Sequence, residues 1–322
     1  MVSIIIVSHN TRDLLKKCLE RVTASSYSRW EIIVVDNASN DGTVEMLRAY
    51  YGHCRLISNQ NNRGFAAANN QAAAIASGEC LLLLNSDAFV QQDAIEQMVL
   101  VLEGMANVGI VGPRLLNEDG SIQESHGKYR TAISTIVEML IGALRLPEPA
   151  RLLLSKTDVL REGQVAGWLT GACLMIRRGV YRELGGLDEN YFFASEDEDL
   201  CARSQKAGWD IYFTPQAEVT HALGASRRKY SGTPHEIQSK CRDMLQKRYF
   251  LRKHRGIISY TFCSALLTIL CAMNLCARRV SWLVSLGASE HKAFKVTLAK
   301  RLLQASFAKI PRLQQAQTIP GL

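Results

Sequence analysis

The chain has 322 residues, 47% of them hydrophobic and 21% charged, with a formal charge of +8. That length and balance suit a folded protein with one large α/β domain and an appendage, or two modest domains. Only 7 prolines and 22 glycines, and no internal repeat, exclude extensive low-complexity sequence and repeat architectures.

Val2 to Ser8 is a β-rich apolar run, and Asn10 or Thr11 can cap a helix after it. Ile4 to Val7 is too short for a signal peptide and follows no basic segment, so it reads as a buried strand. Leu14, Leu15, Cys18, Leu19 and Val22 recur at helical spacing. Glu31 to Asp36 holds a second apolar strand, and Asp41-Gly42 opens a helix through Tyr50. Arg55 to Ser58 is a short strand, Phe65 to Ser77 an alanine-rich helix ended by Gly78, and Cys80 to Leu84 a fourth strand. Strands alternating with helices of this length predict a mostly parallel sheet with helices on both faces. Ligands in such sheets sit beyond the carboxyl ends of the strands. Ser8-His9-Asn10, Asp36-Asn37-Ala38-Ser39 and Asn85-Ser86-Asp87 all fall at those ends.

Gln91 to Glu103 reads as a helix, Val108 to Val111 as a strand and Asn117 to Ser121 as a turn. Ile133 to Leu144 is an apolar helix broken by Pro147 and Pro149. Gly167 to Arg177 is extended, Glu196 to Lys206 a helix ending at Gly208, and Ile211 to Thr214 and Ala217 to His221 are two short strands. Basic residues then crowd the stretch from Arg227 to Arg255, ahead of an uncharged run from Ile257 to Ala277. That run is long enough to span a bilayer but is interrupted by Ser259, Thr261, Ser264, Thr268 and Asn274. Basic residues flank it on both sides, which favours a helix lying in or dipping into the cytoplasmic leaflet over a single span. A buried helix in an oligomer interface is the alternative, so a homo-oligomer stays open. Nine cysteines without a C-x-x-C pair or a cysteine–histidine cluster suggest reduced thiols in a cytosolic setting and argue against zinc.

Four places carry chemistry. Asp36 ends a buried strand, where a carboxylate needs hydrogen-bond donors; a nucleobase or ribose would supply them, and a cap for the following helix would serve equally. Asp87, exposed after Leu81 to Leu84, can bind a hard divalent cation, although acidic turns after strands are also common for structural reasons. Glu196-Asp197-Glu198-Asp199 gains from a helix N-terminus, with Ser195 as a cap. One acid of the Glu196–Asp197 pair can take a proton from a hydroxyl, and at helical spacing only one of them can. His221, just after a strand, is either structural or a second metal ligand or diphosphate contact.

In order, these segments resemble the inverting glycosyltransferases of family two, and among them the bacterial rhamnosyltransferase-type enzymes of cell-surface polysaccharide assembly. The resemblance runs over Val2 to Asn10, Val34 to Ser39, Asn61 to Asn70, Leu83 to Asp87, Gly171 to Arg178, Gly186 to Glu189, Glu196 to Cys201 and His221. It implies an α/β GT-A (nucleotide-diphospho-sugar transferase) fold, with a mostly parallel central sheet flanked by helices and a basic, apolar helical C-terminal extension. Residues 1–230 would be the catalytic domain, split into a nucleotide-sugar-binding half (1–112) and an acceptor half (113–230). Residues 231–322 would be a helical, basic, membrane-associating region.

The same resemblance implies residue roles. Asp197 would be the general base, with Glu196 beside it. Ser8, Asn10, Asp36, Asn37, Arg63, Gly64, Asn85 and Ser86 would bind the donor. Asp87 and His221 would hold Mg²⁺ or Mn²⁺, and Trp168, Gly171 and Phe193 would lie on the acceptor side. Many relatives carry Asp-x-Asp where this chain has Asn85-Ser86-Asp87, which removes one anionic ligand and should weaken metal affinity.

The implied partners are a nucleotide-diphospho-sugar, with dTDP-rhamnose first and UDP- or GDP-sugars as alternatives, and a saccharide acceptor that can be lipid-linked. The implied location is the inner face of the cytoplasmic membrane. A dehydrogenase is disfavoured by the absence of G-x-G-x-x-G after the first strand. A nucleotidyltransferase would need a glycine-rich basic loop there. Nucleic acid is not an expected partner, because the basic tail lacks clear aromatic stacking positions.

Overall fold

A computed structural model describes residues 1–127, 164–192, 194–222, 233–284 and 290–308. The expected helix at Ile133 to Leu144, and Phe193, lie outside the described residues. Of the described residues, those up to 127 and 164–222 form one compact unit, and those from 233 to 308 another.

The first unit alternates strand and helix: β1 (Val2–Ser8), α1 (Arg12–Thr23), β2 (Trp30–Asn37), α2 (Thr43–Tyr50), β3 (Arg55–Asn59), α3 (Phe65–Ile75) and β4 (Cys80–Asn85). There follow β5 (Ala88–Val90), α4 (Ala94–Gly104), β6 (Val108–Leu116), β7 (Ile122–Gln123) and β8 (His126–Gly127). After the gap come β9 (Gln164–Val165), β10 (Trp168–Leu169), β11 (Cys173–Arg177), α5 (Arg178–Glu183), α6 (Glu196–Lys206) and β12 (Asp210–His221). The main sheet runs β3-β2-β1-β4-β11-β6-β12-β5, with β7 on β6 and β9 on β12, while β8 and β10 pair separately.

The β3-β2-β1-β4 part is parallel, β11 enters antiparallel to both β4 and β6, and β12 runs parallel to β6. Successive residues of a strand face opposite sides. Thus Ile4 and Ile6 pack with Leu15, Leu19 and Leu82 on one face of the sheet. On the other, Ile5 meets Ile33, Leu83 and the alanines Ala66, Ala68 and Ala72, whose small side chains let α3 sit close.

Several expectations shift. Gly78 does not cap α3, which ends at Ile75. Instead, a Cβ at Gly78 would lie 2.6 Å from the Ser3 backbone nitrogen, and the Gly78 N–H donates to Ser3 Oγ at 2.8 Å. The helix expected from Gln91 starts at Ala94, because Ala88–Val90 pairs with β12 first. The two strands expected around Pro215 are one, with a register shift between Thr214 and Glu218 where proline offers no N–H. Ser195 makes no side-chain cap; it and Ala194 both have positive φ.

The second unit is helical: α7 (Pro234–Val284), kinked at Gly256 (φ +78°), and α8 (Glu290–Phe307), which packs on it. Arg248 is buried and donates from Nη1 to the carbonyls of Ala305 and Ala308, satisfying open acceptors at the end of α8. Beyond the kink, Ile258, Phe262, Ile269, Met273, Val280 and Leu283 are exposed apolar residues three, four or seven apart, which places them along one helical face. The segment is long and apolar enough to cross a membrane, by length and composition alone.

Candidate active site

At the carboxyl end of the parallel strands, register and hydrogen bonds link the predicted positions. Asp36, at the end of β2, pairs in register with Ser8 of β1. Thr11 Oγ1 lies 2.9 Å from Ser8 Oγ and 2.9 Å from Ser86 Oγ, so Thr11 ties the end of β1 to the turn after β4. Asn85 N–H donates to the Ala172 carbonyl at 2.9 Å, and the adjacent Gly171 N–H donates to Asp197 Oδ2 at 2.7 Å. Asp36, Ser86-Asp87 and Asp197 are therefore joined by an unbroken series of neighbours.

Asp36 is divided in its bonding. Oδ2 accepts the Ser39 N–H at 3.0 Å, as a turn requires. Oδ1 is buried without a hydrogen-bond partner among the described residues, a costly arrangement that a donor-bearing ligand would relieve. Asn10 stands at positive φ (+56°); its N–H donates to Ser39 Oγ and its Oδ1 accepts from Asn40, stitching the first two strand-end loops together. His9 Nδ1 lies 2.8 Å from the Asn37 carbonyl.

Asn37 clamps the Arg63-Gly64 loop. Its Oδ1 accepts from Asn59 Nδ2 at 2.9 Å and from the Arg63 N–H at 3.3 Å, and its Nδ2 donates to the Gly64 carbonyl. The Arg63 side chain is exposed. Gly64 has φ +84°, and a Cβ there would lie 2.6 Å from the Phe192 carbonyl oxygen. Its openness therefore serves contact with the segment leading into α6, where Phe65 N–H donates to that same carbonyl at 2.8 Å.

Asp87 Oδ1 and His221 Nε2 stand 3.4 Å apart, brought together because β5 pairs antiparallel with the end of β12. The Ala222 N–H donates to the Asp87 carbonyl and fixes the turn. Among the described residues no group of three or more histidines, cysteines or acids is placed to hold a metal. A carboxylate oxygen and an imidazole nitrogen are nonetheless donors that would suit a divalent cation completing its shell from ligands outside the protein.

The paired acids differ sharply. Asp197 has both oxygens held, Oδ2 by Gly171 N–H and Oδ1 by Glu198 N–H at 2.8 Å, which orients the carboxylate. Gly171 is small enough to allow this, since a Cβ would lie 3.3 Å from Asp197 Cβ. Glu196 is buried, and its Oε2 has no hydrogen-bond partner among the described residues. Burial first, and then the neighbouring Asp197 charge, push its pKa well above the usual carboxylate range. Asp199 is fully buried and accepts from Arg203 Nε at 2.7 Å, so it serves the helix itself. Trp168 pairs with Gly127, where a Cβ would lie 2.6 Å from the indole nitrogen.

Two contributors escaped the sequence reading. In the sequence Thr11 reads only as a helix cap, and Gln123, in a two-residue strand, carries no signal at all. Gln123 is buried with Oε1 2.8 Å from His221 Nδ1.

The sequence profile of Glycosyl transferase family 2 matches residues 3–185. The chain is 26% identical over 229 residues to an N-acetylglucosaminyl-diphospho-decaprenol L-rhamnosyltransferase of Mycobacterium tuberculosis, covering 68% of this chain and 75% of that one. It is 26% identical over 272 residues to a rhamnosyltransferase of Escherichia coli, covering 81% and 99%. Its structure superposes on a mannosyltransferase from Pyrobaculum calidifontis in complex with GDP-Man and Mn²⁺, with a TM-score of 0.55 at 17% identity over 94% of this chain and 85% of that one.

Proposed function

Because this chain belongs to glycosyl transferase family 2, and is thus a glycosyltransferase of GT-A fold, we propose that it transfers rhamnose from dTDP-rhamnose to a hydroxyl of a lipid-linked saccharide, with inversion, in cell-surface glycan assembly. The observation that carries the reading is the linked series from Asp36 through Ser86-Asp87 to Asp197 at one end of the sheet. Nucleotide, diphosphate and acceptor chemistry would then lie side by side.

In this reading Asp36 Oδ1 accepts from the nucleoside, and Asn37 holds the Arg63 loop against the donor. Asp87 and His221 would hold Mg²⁺ or Mn²⁺. Bound there, the ion would neutralise charge on the departing diphosphate. Asp197, already oriented by two N–H groups, takes the proton of the acceptor hydroxyl as that oxygen bonds to the anomeric carbon. The bond from that carbon to the diphosphate breaks on the opposite side, so the configuration inverts. Glu196, buried and with its pKa raised well above the usual carboxylate range, leaves the base role to Asp197.

The lipid-linked acceptor is supported by the decaprenol-linked acceptor named for the mycobacterial relative and by the exposed apolar face beyond Gly256. On this reading the second unit rests on the cytoplasmic leaflet, its basic residues toward anionic lipid. A GDP-sugar is the second donor reading, favoured by the GDP-mannose in the archaeal fold neighbour.

Thermal-shift and turnover assays with dTDP-, UDP- and GDP-sugars, each with and without Mn²⁺, test the donor. Stabilisation and diphosphate release with dTDP-rhamnose are expected; a response confined to a UDP- or GDP-sugar would replace that donor.

A further inference from the structure

Behind His221 runs a hydrogen-bond chain with a fixed direction. Asp119, in the turn between β6 and β7, offers only acceptors, and Ser121 Oγ donates to it at 2.6 Å. With that proton committed, Ser121 Oγ accepts from Asn117 Nδ2 at 2.9 Å. Asn117 must then present its carbonyl oxygen to Gln123, whose Nε2 donates to it at 2.9 Å. The same Nε2 lies 3.4 Å from the His221 backbone carbonyl, a second acceptor. Gln123 Oε1 is left to face His221 Nδ1 at 2.8 Å, and a carbonyl oxygen can only accept. Nδ1 therefore carries the hydrogen, and in the neutral ring Nε2 is a bare lone pair.

That lone pair lies 3.4 Å from Asp87 Oδ1, with the two side chains only 10% and 16% exposed. Two acceptors so close, with so little water, repel unless something positive stands between them. A glutamine that merely filled space beside a histidine could take either amide orientation, whereas the chain from Asp119 selects one.

We propose that Gln123, held in orientation by Asn117, Ser121 and Asp119, is a positioning residue that fixes His221 as its Nδ1–H tautomer and so presents Nε2, with Asp87, to a divalent cation. This rests on the reading of Asp87 and His221 as the cation pair. Partners that orient a metal-binding histidine through its second nitrogen govern metal affinity by about 10- to 100-fold.

Two readouts separate the relay from the cation. The tautomer is read in metal-free, full-length protein from long-range ¹H–¹⁵N correlations of labelled histidine, with His221→Gln identifying the signal. The cation is read by electron paramagnetic resonance titration of Mn²⁺ with a nucleoside diphosphate present. The unaltered protein should show Nδ1–H. Gln123→Leu should turn His221 to the Nε2–H form, donating to Asp87, and weaken Mn²⁺ binding about 10- to 100-fold. Gln123→Glu, which keeps an acceptor on Nδ1, should preserve both. Asn117→Leu, in the hairpin, frees the amide to turn and should move both readouts the same way by a smaller amount, which keeps the test open if Gln123→Leu does not fold.

An Nε2–H tautomer in the unaltered protein overturns the proposal, as does Mn²⁺ affinity unchanged in folded Gln123→Leu or Asn117→Leu. An Nδ1–H tautomer without any Mn²⁺ binding overturns the cation pair itself, and the two failures are thereby told apart.

Discussion

Glu196 and Asp197 are neighbours in the chain and opposites in environment. Glu196 has one oxygen buried without a hydrogen-bond partner among the described residues, and Asp197 has both oxygens held by backbone N–H groups. The raised pKa of Glu196 has a consequence for stability. The unfolded chain releases this proton near the ordinary value of 4.5, whereas the folded chain keeps it well above that. The stabilisation is therefore complete below 4.5 and declines as pH rises toward the folded value. Glu196→Gln keeps the shape and has no proton to lose. Its melting temperature should rise relative to the parent as pH increases from 5 to 8, by roughly 2–4 °C per kcal/mol of charge penalty removed. Parallel pH-dependent melting curves for the two proteins would refute the raised pKa of the buried Glu196.

At the scale of elements, Glu31 joins β2 to its surroundings. Its Oε1 accepts from Ser3 Oγ of β1 and from the Ser77 N–H and hydroxyl ahead of β4, each at 2.6 Å, and Arg55 of β3 pairs with Oε2 at 3.1 Å. Burial alone would raise its pKa, but these donors outweigh burial and hold it down at about 2. Its stabilisation is thus present above 4.5 and lost as pH falls toward 2. Glu31→Ala should cost about 1–3 kcal/mol at neutral pH, measured by denaturant unfolding, with the loss shrinking in acid.

The same strands show what a sequence makes legible. β1, β2 and β4 were readable because each is a continuous apolar run ending in polar residues, and the segments holding Asp36, Asp87 and His221 were visible as strand ends. β11 was legible as extended sequence, but its antiparallel entry between β4 and β6 was not, since register arises only from pairing. Gln123 was invisible for the same reason. It meets His221 across 98 positions, in a strand too short to show alternation.

On the scale of the whole molecule, two units divide the work proposed for them. The first unit supplies strand ends, and the helical unit carries the apolar face of Ile258, Phe262, Ile269 and Met273. Replacing Ile258, Phe262 and Ile269 together by Lys or Asp should reduce co-sedimentation with liposomes. The Asp set should lose more than the Lys set on anionic lipid, since Lys keeps the electrostatic attraction. Equal binding by the parent and both variants would remove the membrane from this face.

Sugar transfer with Asp197 as the base is tested by one comparison. The full chain and Asp197→Asn are each given the nucleotide sugar and a saccharide acceptor, with donor affinity and product formation measured side by side and the product's anomeric configuration read by NMR. Inverted product is expected from the parent, and from Asp197→Asn a rate lower by about 10²- to 10⁴-fold at nearly unchanged donor affinity. Full turnover by Asp197→Asn, or product of retained configuration from the parent, would contradict it.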